Sequence, residues 1–304
     1  ALSIGAPGAK TITEEWNADF AYGVWATSGS LNTARSDLAG STSGTTTASL
    51  AFGGGITPAT TLNELYNGTS WGELNDMNTA KKQLGGAGTS TAALAFGGEN
   101  PGSTVLDVNE LWNGTSWTEV GDLNTARNFP TGVGTSTAAL SFGGNSPGDP
   151  REEITEQWNG SAWTEVGDLN VGREQIGGAG TSTAALGFGG NAPPAVANNE
   201  SWNGSSWTEV NDLNQAARRG AGIGTQPSAL FAAGDDGPAL INNTESWNGT
   251  NWANENTMNT TRNAMTGDGS QTSAVVAGGD TGSTTGATED WNGDGITTQT
   301  IATD

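Results

Sequence analysis

The chain has 304 residues, 32 acidic and ten basic, so its formal charge is −22, and it has no Cys and no His. Such a charge repels nucleic acid and anionic membrane surfaces, the lack of Cys excludes disulfides, and no apolar run is long enough to insert into a membrane. The 48 glycines among many Thr, Ser and Asn residues are typical of short strands joined by tight turns, which predicts an all-β fold.

One sequence unit repeats along the whole chain. An aromatic residue followed by Asn occurs seven times, at intervals of 44 to 50 residues. These aromatic residues are Trp16, Tyr66, Trp112, Trp158, Trp202, Trp247 and Trp291. A fixed period of this length indicates a propeller or another array of repeated units.

Each unit is predicted to form four short strands, taken here from the second full copy. A Gly-rich stretch before a Thr-Ser-Thr turn is the first strand, and residues 92–98 form the second. Residues 109–112 begin the third, the pair Asn113 and Gly114 suits a hairpin turn, and residues 117–120 form the fourth. One such sheet cannot bury both faces alone, so the copies must stack around an axis.

The terminal copies are irregular. Residues 1–5 match a second strand, and the second Trp of the first copy is delayed to Trp25. In the last copy Ile296 replaces that Trp, and residues 296–304 are predicted to form its fourth strand. Seven landmarks therefore predict one domain over residues 1–304, a seven-bladed β-propeller of four-stranded blades.

The repeat resembles the kelch repeat: a basic residue, an apolar strand ending in two glycines, and then two aromatic residues. Arg127, Gly143, Gly144, Trp158 and Trp163 form one complete copy. The amino-acid sequence of the repeat is also similar to that of kelch-like arrays in marine bacteriophage virion proteins. That resemblance implies an extracellular or virion-associated protein that contacts a host surface or another virion component.

The residue content bears on three kinds of enzyme. Copper oxidases of the kelch class need His and a Cys-linked Tyr, neither of which this chain can supply. Propeller sialidases use a nucleophilic Tyr, whereas Tyr66 is a repeat position and Tyr22 lies in an insertion. A carboxylate pair needs no His, so a glycoside hydrolase stays an alternative.

A Glu stands two residues before each repeated aromatic residue, and a basic residue recurs in six units. The basic residues are Arg35, Lys81, Arg127, Arg173, Arg218 and Arg262. The pattern is explained either by a ring of ligand sites or by one structural ion pair in each blade, and we favour the ion pair. The recurrent Asn-Gly-Thr/Ser segment matches a glycosylation acceptor as well as a hairpin turn, and we favour the turn.

The loops between the second and third strands differ in every unit, at residues 56–63, 99–109, 145–155, 191–199 and 235–244. Variable loops on a repeated frame are the usual arrangement for recognition, although drift in unconstrained loops produces the same pattern. An insertion at residues 18–24 adds two aromatic residues to an otherwise short hairpin. The candidate partner-binding residues are Phe20, Tyr22, Asp149, Arg151, Glu152, Arg219, Asp235 and Asp236.

The sequence therefore predicts a non-enzymatic recognition module without a cofactor, binding a glycan or a protein, such as another virion protein. A purely structural virion component is the first alternative and the hydrolase is the second. Acidic residues near Gly and Asn, such as Asp235, Asp236, Asp268 and Asp294, leave room for one structural Ca²⁺ ion, although no EF-hand spacing is present.

Overall fold

The computed structural model describes residues 23–55, 58–148 and 151–293. All regular structure in these ranges is β, arranged as six antiparallel sheets of four strands. This confirms a β-propeller of four-stranded blades, the class predicted from the repeat. The prediction that residues 1–304 form one domain stays a prediction.

The strands follow the chain as a simple meander. The first is β1 (Val24–Ser28). Blade 1 contains β2 (Ala39–Gly40), β3 (Ser49–Phe52), β4 (Asn63–Tyr66) and β5 (Trp71–Glu73). Blade 2 contains β6 (Gly85–Thr89), β7 (Ala92–Phe96), β8 (Asn109–Trp112) and β9 (Trp117–Val120). Blade 3 contains β10 (Thr131–Thr135), β11 (Ala138–Phe142), β12 (Thr155–Trp158) and β13 (Trp163–Glu165).

The second half of the ring repeats this plan. Blade 4 contains β14 (Gly177–Thr181), β15 (Ala184–Phe188), β16 (Asn199–Trp202) and β17 (Trp207–Val210). Blade 5 contains β18 (Ala221–Thr225), β19 (Ser228–Asp235), β20 (Leu240–Trp247) and β21 (Trp252–Asn254). Blade 6 contains β22 (Thr266–Ser270), β23 (Ser273–Ala277) and β24 (Thr288–Asn292).

Blade 6 takes its outermost strand from the beginning of the chain, and this overturns the predicted count of seven blades. Strand β1 pairs antiparallel with β24, and Trp25 lies opposite Trp291. Trp25 is therefore the second Trp of the last blade, so the first and last sequence copies contribute to one sheet. The predicted strands at residues 1–5 and 296–304, and Trp16, lie outside the described residues, and β1 occupies the fourth position of blade 6.

Aromatic rings form the core within and between the blades. In each blade the two repeated aromatic residues lie opposite each other with ring centroids 5.1 to 5.5 Å apart. Across four blade interfaces a Phe from the second strand meets the outer Trp of the next blade; Phe96 and Trp163, for example, are 4.9 Å apart. These large buried rings compensate for the small number of Leu and Ile residues.

The repeated Asn-Gly segment forms the hairpin turn between the third and fourth strands. The Asn113 side-chain oxygen accepts hydrogen bonds from the backbone N–H groups of Thr115 and Ser116 at 2.9 and 3.0 Å. Gly114 has a φ of 90°, a conformation that glycine adopts without strain. The segment therefore has a structural role that accounts for its repetition.

In five blades a buried ion pair joins the third strand to the segment before the innermost strand, which confirms the structural interpretation of the repeated Glu and basic residue there. The pairs are Arg35–Glu64, Lys81–Glu110, Arg127–Glu156, Arg173–Glu200 and Arg262–Glu289, and all ten side chains are at most 1% exposed. The same carboxylate also fixes the connection from the preceding blade: the Asn124 N–H donates to Glu156 Oε2 at 2.7 Å.

Blade 5 lacks this pair, and the assignment of Arg218 to the repeat position is wrong. Ala217 occupies the position, fully buried, whereas Arg218 is one residue further along, partly exposed, and pairs with the buried Asp235 at 2.6 Å. Phe231, opposite Glu245 in the register, packs in one core cluster with Ala217. Because burial outweighs the hydrogen bonds that Asn214 and Gln215 donate, the pKa of Glu245 is raised.

This exception makes a testable contrast between two equivalent glutamates. Glu245→Gln should change the free energy of unfolding at pH 7 by less than about 1 kcal/mol or increase it, because it removes a buried charge that has no counterion. Glu200→Gln should cost about 3 to 5 kcal/mol, because it leaves the Arg173 guanidinium buried and unpaired. Urea unfolding of both variants measures the difference, and equal losses would contradict this account of blade 5.

Candidate ligand-binding site at the channel mouth

Six residues, one from each blade, surround one mouth of the central channel. They are Asp37, Gln83, Phe129, Gln175, Arg219 and Ala264, here called the mouth ring. Each lies two residues after the repeated basic position, just before or at the beginning of the innermost strand. All six have a left-handed backbone, with φ between 53° and 60°.

Backbone hydrogen bonds link the mouth ring from blade to blade. The Gln83 N–H donates to the Asp37 carbonyl at 2.8 Å, and the Phe129 N–H donates to the Gln83 carbonyl at 2.7 Å. Arg219 likewise donates to Gln175 at 3.1 Å, Ala264 to Arg219 at 2.9 Å and Asp37 to Ala264 at 2.9 Å, so these bonds link five of the six neighbouring pairs. The hydrogen-bonded backbone thus presents six side chains of five different residue types.

The conformation of the mouth ring favours glycine, yet no blade has glycine there. A left-handed conformation costs a non-glycine residue about 1 kcal/mol or more, and such strain clusters at ligand sites. The hydrogen bonds along the mouth ring offset part of this cost. The side chains retained at this cost are therefore candidates for function.

Glycines let the innermost strands pack together beneath the mouth ring. A Cβ atom on Gly86 would lie 2.4 Å from the Gly40 carbonyl oxygen, and one on Gly132 would lie 2.2 Å from the Gly86 carbonyl oxygen. Adjacent blades therefore approach so closely at this level that a side chain cannot fit without displacing the backbone. The result is a smooth wall around the axis.

An irregular segment of blade 1, residues 41–47, forms the floor. The N–H of Ser43 donates to the Gly88 carbonyl and its hydroxyl to the Gly134 carbonyl, both at 2.9 Å, so this residue reaches blades 2 and 3. Thr42, next to it, lines the cavity. Mouth ring, glycine wall and floor together form an open cup with a cavity volume of about 150 Å³.

The lining of the cup has mixed polarity. The Arg219 guanidinium lies over the Phe129 ring, 5.2 Å from its centroid. Burial raises the pKa of Asp37, and the positive charges of Arg219 and Lys82 act against that rise. Three buried polar atoms of the lining, Thr42 Oγ1, Gln175 Oε1 and Arg219 Nε, have no hydrogen-bond partner in the structure.

Ion pairs and amides surround the cup. Lys82 pairs with Glu99 at 3.0 Å, and the Asn128 amide donates to Gln83 Oε1 at 3.0 Å. Asp235 accepts from Arg218 at 2.6 Å and from the Asn263 amide at 2.7 Å. These residues, here called the rim, are Lys82, Glu99, Asn128, Arg218, Asp235 and Asn263. They hold the base of the mouth ring and the loops between the second and third strands in place.

The structure brings some of the predicted partner-binding residues together. Arg219 belongs to the mouth ring and, with Asp235, also lines a neighbouring open recess of about 260 Å³ under the blade 5 hairpin. Asp236, at the start of the turn of that hairpin, accepts the Ala239 N–H at 2.9 Å.

The other predicted residues contribute differently. Glu152 is buried, accepts a hydrogen bond from the Ser146 hydroxyl, and so has a structural role in its loop. Arg151 lies in the same loop, away from the cup lining. Phe20, Tyr22 and Asp149 lie outside the described residues.

Sequence reasoning missed four residues of the cup, namely Gln83, Phe129, Gln175 and Thr42. The position two residues after the repeated basic residue changes chemistry from copy to copy, but so do the residues on either side of it, so this variation does not single the position out. What the repeat alone does not show is that these positions converge on the axis.

A search of protein-family models finds no match to the chain, and no curated protein sequence matches it either. The fold therefore defines the class, a six-bladed β-propeller with four-stranded antiparallel blades. None of the residues in the described ranges builds a helix able to cross a membrane. Within the same ranges, no three His, Cys, Asp or Glu side chains are grouped to hold a metal ion.

Proposed function

We propose that this propeller is a non-enzymatic recognition module that binds its partner through the face bearing the mouth ring and the loops between second and third strands. The observation that carries the proposal is the position of the variable side chains. The blade frame repeats from copy to copy, whereas these loops differ in every blade and the mouth ring has five different residue types in its six positions. Variable groups held by a fixed scaffold are typical of binding surfaces.

The distribution of positive charge supports the same face. Of the ten basic residues, Lys10 lies outside the described residues and five are buried in the blade ion pairs. The remaining four are Lys82, Arg151, Arg218 and Arg219, and all belong to the mouth ring, its rim or a loop on this face. A chain of charge −22 thus concentrates its accessible cations where its side chains vary.

The glycoside hydrolase alternative receives less support. Glycosidases of the common kind use two carboxyl groups that flank the scissile bond. Asp37 is the one carboxylate among the residues lining the described cup. Glu174, the acid next to Gln175, accepts hydrogen bonds from the amides of Asn145 and Asn191 and lies outside the lining of the cup.

The amino-acid sequence of the repeat also suggests a family and a location for the protein. We place the chain with kelch-type propellers because each blade contains the buried basic residue, the Gly-Gly strand end and the aromatic pair, with Ala217 and Ala233 as the blade 5 exceptions. The similarity to phage virion arrays supports an extracellular or virion-associated location, with a glycan or protein of the host as partner. A purely structural virion component is the alternative.

Exchanging one loop tests the proposal. The blade 5 loop, residues 236–239, is replaced by the corresponding blade 4 residues, 192–195, and binding to an array of glycans and host surface proteins is compared with that of the wild type. We expect altered binding with a nearly unchanged melting temperature, because the tip of this hairpin is exposed. Unchanged binding by this variant and by a matched exchange at residues 100–107 would contradict the proposal.

A further inference from the structure

The charges of the cup restrict the class of ligand it can bind. Its lining contains one acid, Asp37, and one base, Arg219, while the rim charges Lys82–Glu99 and Arg218–Asp235 are paired with each other. An anionic ligand would meet Asp37 and a protein of charge −22, and a cationic ligand would meet Arg219. A neutral ligand avoids both penalties.

The hydrogen-bonding groups of the cup require a ligand that both donates and accepts. Gln83 and Gln175 each offer an amide, Arg219 donates, and Asp37 accepts when ionised. Thr42 Oγ1, Gln175 Oε1 and Arg219 Nε are buried without a partner, a condition that is rare unless water or a ligand satisfies such atoms. A polyhydroxylated molecule can donate to and accept from these groups at once.

The size and the apolar surface of the cup further restrict the class of ligand that it can bind. The cavity volume of the cup, about 150 Å³, is smaller than the roughly 300 to 1,000 Å³ typical of sites for drug-sized molecules, so the cup holds only one small unit of a larger ligand. Phe129 and the ring of glycines supply apolar surface, as the C–H faces of a sugar ring require. The floor at Thr42 allows entry from the mouth alone, so a chain would enter by its end.

Resting on the proposed function, we infer that the cup binds the terminal residue of a neutral saccharide. One face of the sugar packs on Phe129 beside Arg219, and its hydroxyl groups bond with Gln175, Gln83, Asp37 and Thr42. The rest of the saccharide leaves through the mouth and contacts the surrounding loops. The blade 5 hairpin, which lines the adjacent recess together with Arg219, is one such element.

The test measures binding of methyl glycosides by saturation-transfer NMR. The probes are the methyl glycosides of glucose, galactose, mannose and fucose, with glucuronate as the anionic and glucosamine as the cationic analogue. We expect at least one neutral glycoside to bind with a Kd of about 1 mM, as suits a ligand of so few atoms. Glucuronate and glucosamine, the charged probes, should each bind at least tenfold more weakly than that neutral glycoside.

Substitutions in the mouth ring locate the binding. Ala264 shows that Ala is accommodated in the ring conformation, so Phe129→Ala and Gln175→Ala should preserve the backbone. Each should weaken binding at least tenfold without a change in melting temperature beyond a few degrees. Thr183→Ala, an exposed substitution in a turn on the opposite face, is the matched control and should bind like the wild type.

Three outcomes would overturn the inference. They are no binding of any neutral glycoside up to 20-fold above the expected Kd, preferential binding of a charged analogue, and binding unaffected by both mouth-ring substitutions. The first result would mean that the cup holds ordered water only. If the loop exchange still altered partner binding, the recognition proposal would stand and the saccharide inference alone would fail.

Discussion

Arg127→Ala should lower the free energy of unfolding by about 3 to 5 kcal/mol, because it leaves a buried carboxylate without its counterion. The guanidinium is fully buried; its Nη2 lies 3.2 Å from Glu156 Oε1, and it also donates to the Ser141 hydroxyl and the Ile154 carbonyl, each at 3.1 Å. Urea unfolding at pH 7, followed by tryptophan fluorescence, measures the loss.

A double variant separates the loss of the pair from the loss of packing. Arg127→Ala combined with Glu156→Gln should recover part of the stability, because the isolated charge is gone while the cavity remains. Blade 5 contains a natural version of the empty basic position, in which Ala217 and Phe231 pack together. A loss below 1 kcal/mol in the single variant would show that the pair contributes little.

Asp268→Asn should remove a pH dependence of stability that the wild type shows between about pH 4 and pH 8. The carboxyl group accepts hydrogen bonds from the Ser41 and Ser49 hydroxyls and from the backbone N–H groups of Gly44 and Gly269, at 2.6 to 3.0 Å. These bonds fasten blade 6 to the irregular floor segment of blade 1. Burial nevertheless raises the pKa of Asp268 to about 7 from an ordinary value of 3.8.

The direction in which stability changes with pH follows from the raised pKa of Asp268. A carboxyl group with a higher pKa in the folded state contributes most to stability when it is protonated, below its unfolded pKa. The contribution disappears as the pH rises through about 7, and the total change is about 4 kcal/mol. The difference in unfolding free energy between Asp268→Asn and the wild type should therefore increase by that order from pH 4 to pH 8, in favour of the variant.

Urea unfolding of both proteins at a series of pH values tests this expectation, and using their difference cancels the titration of the other acids. Asp37→Asn is a comparison variant, since burial raises that pKa as well but the group lies at the mouth and not beneath the floor. A difference that stays constant with pH would show that Asp268 is ionised throughout this range.

The repeat made the propeller, the hairpin turns and the buried ion pairs predictable, because each depends on residues within one unit or its neighbour. The number of blades was not predictable in this way. Counting Trp16 and Trp291 as separate blades ignores the ring closure, in which Trp25 pairs with Trp291 in one sheet. Arg218 was misplaced because two adjacent arginines follow Ala217 and one of them resembles the missing repeat residue.

The cup was not predictable from the sequence for a different reason. Its side chains are single residues separated by about one repeat length, and only the closed ring brings them together. The floor arises because blade 1 ends its inner strand at Gly40, after which residues 41–47 turn toward the axis. Neither the left-handed backbone at Gln83 nor the reach of Ser43 across the axis follows from local residue preferences.

Because the chain has no Cys, single cysteines can place a bulky label on either face of the propeller, and this tests the central claim most directly. Gln83→Cys, in the mouth ring, and Thr183→Cys, in an exposed turn on the opposite face, are each labelled with a bulky maleimide. Binding to the array of glycans and host surface proteins is then measured. The account predicts that the label at Gln83 abolishes binding and the label at Thr183 leaves it intact; the reverse result, or no effect of either label, would contradict it.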